Sequence, residues 1–151
     1  MTPVEHSHRA FGAGRLLSAV ERVVSEQMRS ALEPYGLDLG EWRVLELLSD
    51  GEGHTMAETA DFAVLPPPSL TKVVNRLVSN NLVHRRTGTV DRRQVLIRHT
   101  TRGLQKFDEV AGAIHLLERA LFGSGSDREL LENVLGAIES NASSEAVSAD
   151  H

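Results

Sequence analysis

Apolar residues recur at helical spacing through Leu16, Val20, Val23, Met28, Ala31 and Leu32, which predicts an amphipathic helix from about Ala10 to Leu32. Pro34 and Gly36 end it. Asp38 with Glu41 three residues on is a capping box, so a second helix opens there, carries Trp42, Leu45 and Leu48, and stops in Asp50-Gly51-Glu52-Gly53. Thr55 and Glu58 repeat the pattern for a short third helix through about Ala63. Pro66, Pro67 and Pro68 suit a first helical turn, where their missing N–H groups would have no partner anyway. The fourth helix then runs past Val73, Val74 and Leu77 to about Ser79, and Asn80-Asn81 break it. Here the pattern changes. Leu82 to Thr87 and Gln94 to His99 are rich in β-branched residues around a loop containing Gly88, which reads as a hairpin.

Thr100 and Thr101 are both suited to cap the next helix, whose Leu104, Phe107, Ala111, Ile114, Leu117 and Leu121 come close to a heptad seam. Gly123-Ser124-Gly125 interrupts it, and Ser126 with Glu129 opens a last helix through Leu130, Leu131, Val134, Leu135 and Ile138. From Asn141 the residues are small and polar, as in a frayed tail. The fold class is therefore mainly α with a small β-hairpin. The piece from Asp38 to Thr100 reads as a winged helix-turn-helix, and the helices on either side carry apolar stripes that it is too small to cover. A symmetric dimer is the common solution to such stripes; folding back on their own chain is the other. The expected organisation is an N-terminal dimerisation helix over 1–36, the winged domain over 37–100, C-terminal dimerisation helices over 101–142 and a flexible tail over 143–151.

A chain of 151 residues with a net charge of −5 gives no hint of a nucleic-acid partner. The distribution does. Between Pro66 and Lys106 stand nine bases (Lys72, Arg76, Arg85, Arg86, Arg92, Arg93, Arg98, Arg102, Lys106) against one acid, Asp91; that segment is +8 and the rest of the chain is −13. A helix followed by a basic hairpin is how a winged domain meets duplex DNA, with phosphates drawn to the clustered charge. The absence of cysteine excludes disulfides, thiolate metal sites and thiol redox sensing. No signal-peptide pattern or membrane-length apolar run is visible, so a cytoplasmic protein with no membrane partner is expected.

Pro68-Ser69-Leu70-Thr71-Lys72-Val73-Val74-Asn75-Arg76-Leu77, then Leu82-Val83 with Arg85 or Arg86, then Asp91-Arg92-Arg93 and finally Thr100 with Gly103 form one connected pattern. From about Leu37 to Gln105 it resembles the winged helix-turn-helix of the multiple antibiotic resistance regulator (MarR) family, and the flanking helices match that family in number and order. The resemblance implies a homodimer on a palindromic operator. It also implies release by a small, often aromatic, ligand in a crevice between the dimer helices and the winged domain. Four positions depart from the family's pattern: Pro66 replaces a Ser or Thr cap, Asn75 replaces an acid, Val64 replaces a helix-closing Gly, and His99 replaces a Leu.

Ser69, Thr71, Lys72, Asn75 and Arg76 fall on the early turns of the recognition helix as candidate base or phosphate contacts. Arg76 has a second reading, an intramolecular salt bridge facing the wing. Arg92 and Arg93 at the wing tip suit a narrow minor groove. Asp91 is expected to brace one of those guanidiniums by a bidentate pair. Arg85, Arg86 and Arg98 are candidate phosphate contacts. His99 is a candidate sensor at the hairpin's far end, with a hydrogen-bonded structural histidine as its other reading. His6 and His8 lack a third ligand at metal spacing, so neither a metal nor any other cofactor is expected. Phe11-Gly12-Ala13-Gly14 is no nucleotide loop, and no catalytic constellation is visible, so an enzyme is not expected. Against the DNA-binding regulator, a repressor by its resemblance, stand a winged protein–protein module and a small-ligand or metal sensor without DNA.

Overall fold

A computed structural model describes residues 12–148. Its elements are α1 (Ala13–Leu32), α2 (Leu39–Leu48), β1 (His54–Thr55), α3 (Met56–Ala63), α4 (Pro67–Ser79), β2 (Val83–Thr87), β3 (Val95–His99), α5 (Thr101–Phe122) and α6 (Ser126–Ser148), with a 3-10 turn at Glu33–Tyr35 after α1. The chain order anticipated from periodicity holds within a few residues at the boundaries of both hairpin strands and of the helices, except at the end of α6. The local chemistry explains why. Asp38 Oδ1 accepts from Glu41 N at 2.7 Å while Glu41 Oε2 accepts from Asp38 N at 2.9 Å, a complete capping box. Thr55 Oγ1 accepts from Glu58 N, and Thr100 Oγ1 from Gly103 N, capping α3 and α5.

The three strands form one antiparallel sheet in the order β1-β3-β2. His54 pairs with Ile97 and Val83 with His99. The short β1 is absent from the sequence expectation, because two residues are too few to show alternation and their partner lies far along the chain. The other correction is at the C-terminus. The stretch from Asn141, expected as a tail with a flexible 143–151, is helical through Ser148.

The core gathers Trp42, Leu45 and Leu48 of α2, Leu70, Val74 and Leu77 of α4, Val83 and Ile97 of the sheet, and Val110 and Ile114 of α5. Trp42 stacks on Phe107 with ring centroids 5.1 Å apart. This joins the start of α5 to the winged domain. Gly103 permits that approach: a Cβ there would lie 1.9 Å from the Leu82 carbonyl oxygen. Thr100 Oγ1 also donates to Asn81 O, so the end of the hairpin and the end of α4 are tied at one corner.

Outside this core the packing thins. Leu16, Val20 and Val23 of α1 and Leu130, Val134, Leu135 and Ile138 of α6 are exposed, the largest exposure among them being 65% at Leu130. Most of these, with Leu121 and Leu131, line one continuous apolar cleft between α1, α5 and α6. No helix among the described residues is long and apolar enough to cross a membrane.

Candidate nucleic-acid interface

The helix α4 presents two faces. Leu70, Val73, Val74 and Leu77 are buried, and the opposite side exposes Ser69, Thr71, Lys72, Asn75 and Arg76. Its start is organised by prolines, with Pro66 as N-cap offering no side-chain bond and Leu70 N donating to Pro66 O. Because Pro67 and Pro68 have no N–H to satisfy, the usual Ser or Thr cap is dispensable here. The preceding turn keeps its glycine-like form although Val64 stands there. Val64 adopts φ 55°, ψ 47°, a left-handed conformation that costs a β-branched residue roughly 1–2 kcal/mol. The side chain is 75% exposed at the corner of the helix-turn-helix.

The basic residues divide into two groups. Arg76 leaves the exposed face of α4 and reaches back to the N-terminus of α2, pairing with Asp38 and, through Nε at 3.2 Å, with Glu41. Glu41 is buried, so this guanidinium neutralises a carboxylate that would otherwise be stranded. It takes up the intramolecular arrangement, toward α2 rather than toward the wing. Arg98 is half-buried and donates from Nη1 to Gly51 O at 3.0 Å, holding the turn before β1 instead of facing a phosphate. Arg85 stays exposed but donates from Nη2 to Asn75 Oδ1 at 2.6 Å, bringing the wing strand onto the recognition helix. Thr71 Oγ1 donates to Pro67 O.

The second group has no such attachment. Lys72, Arg86, Arg92 and Arg93 are exposed and make no side-chain hydrogen bond or ion pair with other described residues. The wing loop that carries two of them is shaped by its own backbone: Gly88 N donates to Gln94 O, and Gln94 N to Asp91 O. Asp91 does brace this loop, but through Oδ1 accepting from Arg93 N at 2.9 Å, not through a guanidinium. A short side chain closing on the backbone two residues ahead is the Asx turn, a stronger local option than bridging to a long mobile arginine. Both arginine side chains are exposed and unpaired among the described residues.

The histidines follow the same division. Nδ1 of His99 lies 2.9 Å from its neighbour's carbonyl, Thr100 O, and the ring is half-buried. That is the hydrogen-bonded structural arrangement. His84, on β2, is held below its ordinary value by partial burial and by the charges of Arg86 and Arg98. His54 is the residue that sequence reasoning missed. Its Nε2 meets Asp50 Oδ2 at 2.7 Å and its Nδ1 meets Glu58 Oε2 at 3.1 Å, tying the end of α2 to the start of α3. Burial works against protonation, but the two carboxylates outweigh it and the pKa is raised. Acids four residues to either side were the available signal. They look like helix spacing, though, and His54 lies between two helices. Among the described residues no group of three His, Asp or Glu side chains is arranged to hold a metal ion; His6 and His8 lie outside them.

A crevice of about 350 Å³ opens between the turn after α1, the end of α4 and the start of α5. Tyr35, Leu37, Asn80, Arg102, Gln105 and Lys106 contribute to its walls. The Lys106 ammonium lies 5.9 Å from the Tyr35 ring centroid and 3.7 Å from Glu109.

The sequence model of the MarR family matches residues 37–95, the stretch from the start of α2 to the wing. An uncharacterised helix-turn-helix transcriptional regulator of Bacillus subtilis, YwoH, is 28% identical over 108 residues, covering 72% of this chain and 78% of its own. Among solved structures, the MarR family regulator AbsC of Streptomyces coelicolor superposes with a TM-score of 0.76 at 26% identity, covering 87% of this chain and 93% of AbsC. Two others, below 25% identity, share the fold. A mutant of E. coli MarR complexed with operator DNA has a TM-score of 0.71 at 23% identity, covering 83% of this chain and 91% of its own. NadR in complex with 4-hydroxyphenylacetate has a TM-score of 0.70 at 24% identity, covering 90% and 96%. The likeness is to regulators rather than enzymes, and the family model falls on the winged domain built by α2 to β3. Over its winged domain, residues 37–95, the chain matches the MarR family of transcriptional regulators.

Proposed function

We propose that this protein is a homodimeric repressor that holds a palindromic operator and lets go when a small molecule binds. The observation that carries the DNA half is the exposed face of α4 beside the wing, where Lys72, Arg86, Arg92 and Arg93 have no partner among the described residues in a segment of charge +8. Ser69, Thr71, Lys72 and Asn75 would meet the major groove, and Arg92 and Arg93 the adjoining minor groove and backbone. Arg76 and Arg98 are not part of this contact. The apolar cleft of α1, α5 and α6 supports the second copy, so that 1–36 and 101–142 serve as the dimerising segments around the winged domain. Two recognition helices related by a twofold axis then meet half-sites about 10 bp apart, or a multiple of that.

The crevice beside Arg102 and Lys106 is where we place the effector. Its phenol ring, Leu37 and Leu82, and two cations, of which Lys106 is paired with Glu109 and Arg102 with none of the described residues, would suit a small aromatic anion, and NadR is a fold relative whose complex with 4-hydroxyphenylacetate is such a case. His99, already engaged with Thr100, has no part in this reading.

The test is a mobility shift with the DNA upstream of the protein's own gene across a salt titration. A shift that weakens steeply with salt is expected, and Arg93→Ala should lower affinity and the salt slope without altering the dimer. An Arg93→Ala protein that binds as tightly as its parent at every salt would remove the wing from the contact. No salt-dependent shift at all would favour a protein-binding role for the basic face. Adding 4-hydroxyphenylacetate tests release, with Lys106→Ala expected to blunt it.

A further inference from the structure

Asn75 lies near the middle of the exposed side of α4, opposite the buried Leu70, Val73, Val74 and Leu77, with Thr71 and Lys72 one turn before it. Arg85 reaches it from β2, and Arg85 Nη2 donates to Asn75 Oδ1 at 2.6 Å. A guanidinium has only donors. The amide must therefore turn its oxygen toward Arg85, whichever way the two ends of an asparagine are assigned. Nδ2, which can only donate, is left without a partner among the described residues.

That constrains what the side chain can read. A free asparagine recognises adenine by accepting from N6 and donating to N7 together. Here one of the oxygen's two lone pairs is already taken by Arg85, and the positive charge beside the other opposes adenine's amino hydrogens. Guanine offers N7 and O6, two acceptors and no donor, on the same edge; thymine offers O4 alone.

We propose that Arg85 biases Asn75 toward reading by donation, so that the base facing it in the major groove is guanine, with thymine next and adenine disfavoured. This rests on the DNA-binding function proposed above and adds the specificity of one position. The base is contacted by the recognition helix, but its identity is selected by a residue of the wing strand. Arg85 acts as a positioning residue, and Asn75 makes the contact.

The experiment is selection of duplexes from a randomised pool by the intact chain at fixed salt, followed by affinities for the winning site and its single-base variants. In the parent, one position per half-site should favour guanine over adenine about fivefold, the worth of one net hydrogen bond. Asn75→Ala should flatten that position and leave the others as they were. Arg85→Met, which keeps the alkyl stem and removes the donors, should admit adenine there. Both side chains are exposed, so neither variant disturbs the core. Adenine at that position in the parent, an Arg85→Met protein with unchanged preference, or an Asn75→Ala protein that alters no position would each overturn the proposal. Failure of the parent to enrich any sequence would overturn the DNA-binding function with it.

Discussion

The winged domain and the terminal helices solve the same problem in opposite ways. In the winged domain every amphipathic element finds a partner within the chain: Trp42, Leu45, Leu70, Leu77 and Ile97 are all but inaccessible. In α1 only Ser25 and Leu32 are buried, and α6 buries no residue among those whose side chains are described. The apolar periodicity is as clear in α1 as in α4. Periodicity thus announces an apolar face without saying what covers it, and the two regions differ in whether the described chain itself supplies that cover.

The largest effect should come from breaking the self-sufficient side. Leu77→Ala empties a fully buried position between α4 and its neighbours and should cost about 3 kcal/mol in urea unfolding. It should leave the affinity between copies of whatever remains folded nearly unchanged. The converse is Val20→Asp on the exposed stripe of α1. It should weaken self-association by about 2 kcal/mol per copy, read by sedimentation, because an apolar contact is replaced by a charge needing water. The melting of the winged domain should hold once the concentration dependence is removed. A Val20→Asp protein that stays dimeric would mean the stripe is covered some other way.

Smaller effects sharpen the picture inside the winged domain. Val64→Gly should stabilise it by about 1 kcal/mol in denaturant, since glycine occupies the left-handed conformation without the Cβ penalty. His54 should give the smallest change, seen only as a function of pH. Its pKa is raised from 6.5, so the tie to Asp50 and Glu58 contributes fully below that value and is lost as pH rises through the higher folded one. Asp50 is shifted the other way: burial resists the shift, but the Glu52 N–H and the His54 ring together lower its pKa from 3.8. Its share is present above 3.8 and disappears as pH falls through the lower folded value. His54→Gln should flatten the upper limb of that profile in hydrogen exchange of the turn between α2 and α3, leaving global stability near its parent value.

Several features were legible in the sequence because their causes are local. The Asp38–Glu41 capping box, the Thr55 cap, the proline start of α4 and the threonine at the head of α5 each involve residues three or four apart and appear where the pattern puts them. The Ser126–Glu129 box does not: Ser126 lies inside α6, and Glu129 N donates to Gly125 O instead. The concentration of charge between Pro66 and Lys106 was equally plain. The fate of each arginine was not. Arg76 was as plausible a base reader as Lys72 until the fold brought Asp38 and Glu41 to it from a distant part of the chain. Asp91 was expected to hold a guanidinium, but the nearest donor to a side chain that short is the backbone of its own turn.

Sequence by itself determined where most helices and both hairpin strands begin and end, which faces are apolar, and that a basic hairpin follows a helix able to enter a groove. Hydrogen-bonding caps, fixed φ at proline and a 3.6-residue period act over distances the chain order already specifies. Tertiary structure alone decided which cations are engaged inside the molecule, that Arg85 turns the amide of Asn75, that His54 sits between two acids, and that the stripes of α1 and α6 stay open. Those outcomes depend on through-space proximity between elements far apart in the chain, and no local pattern encodes it.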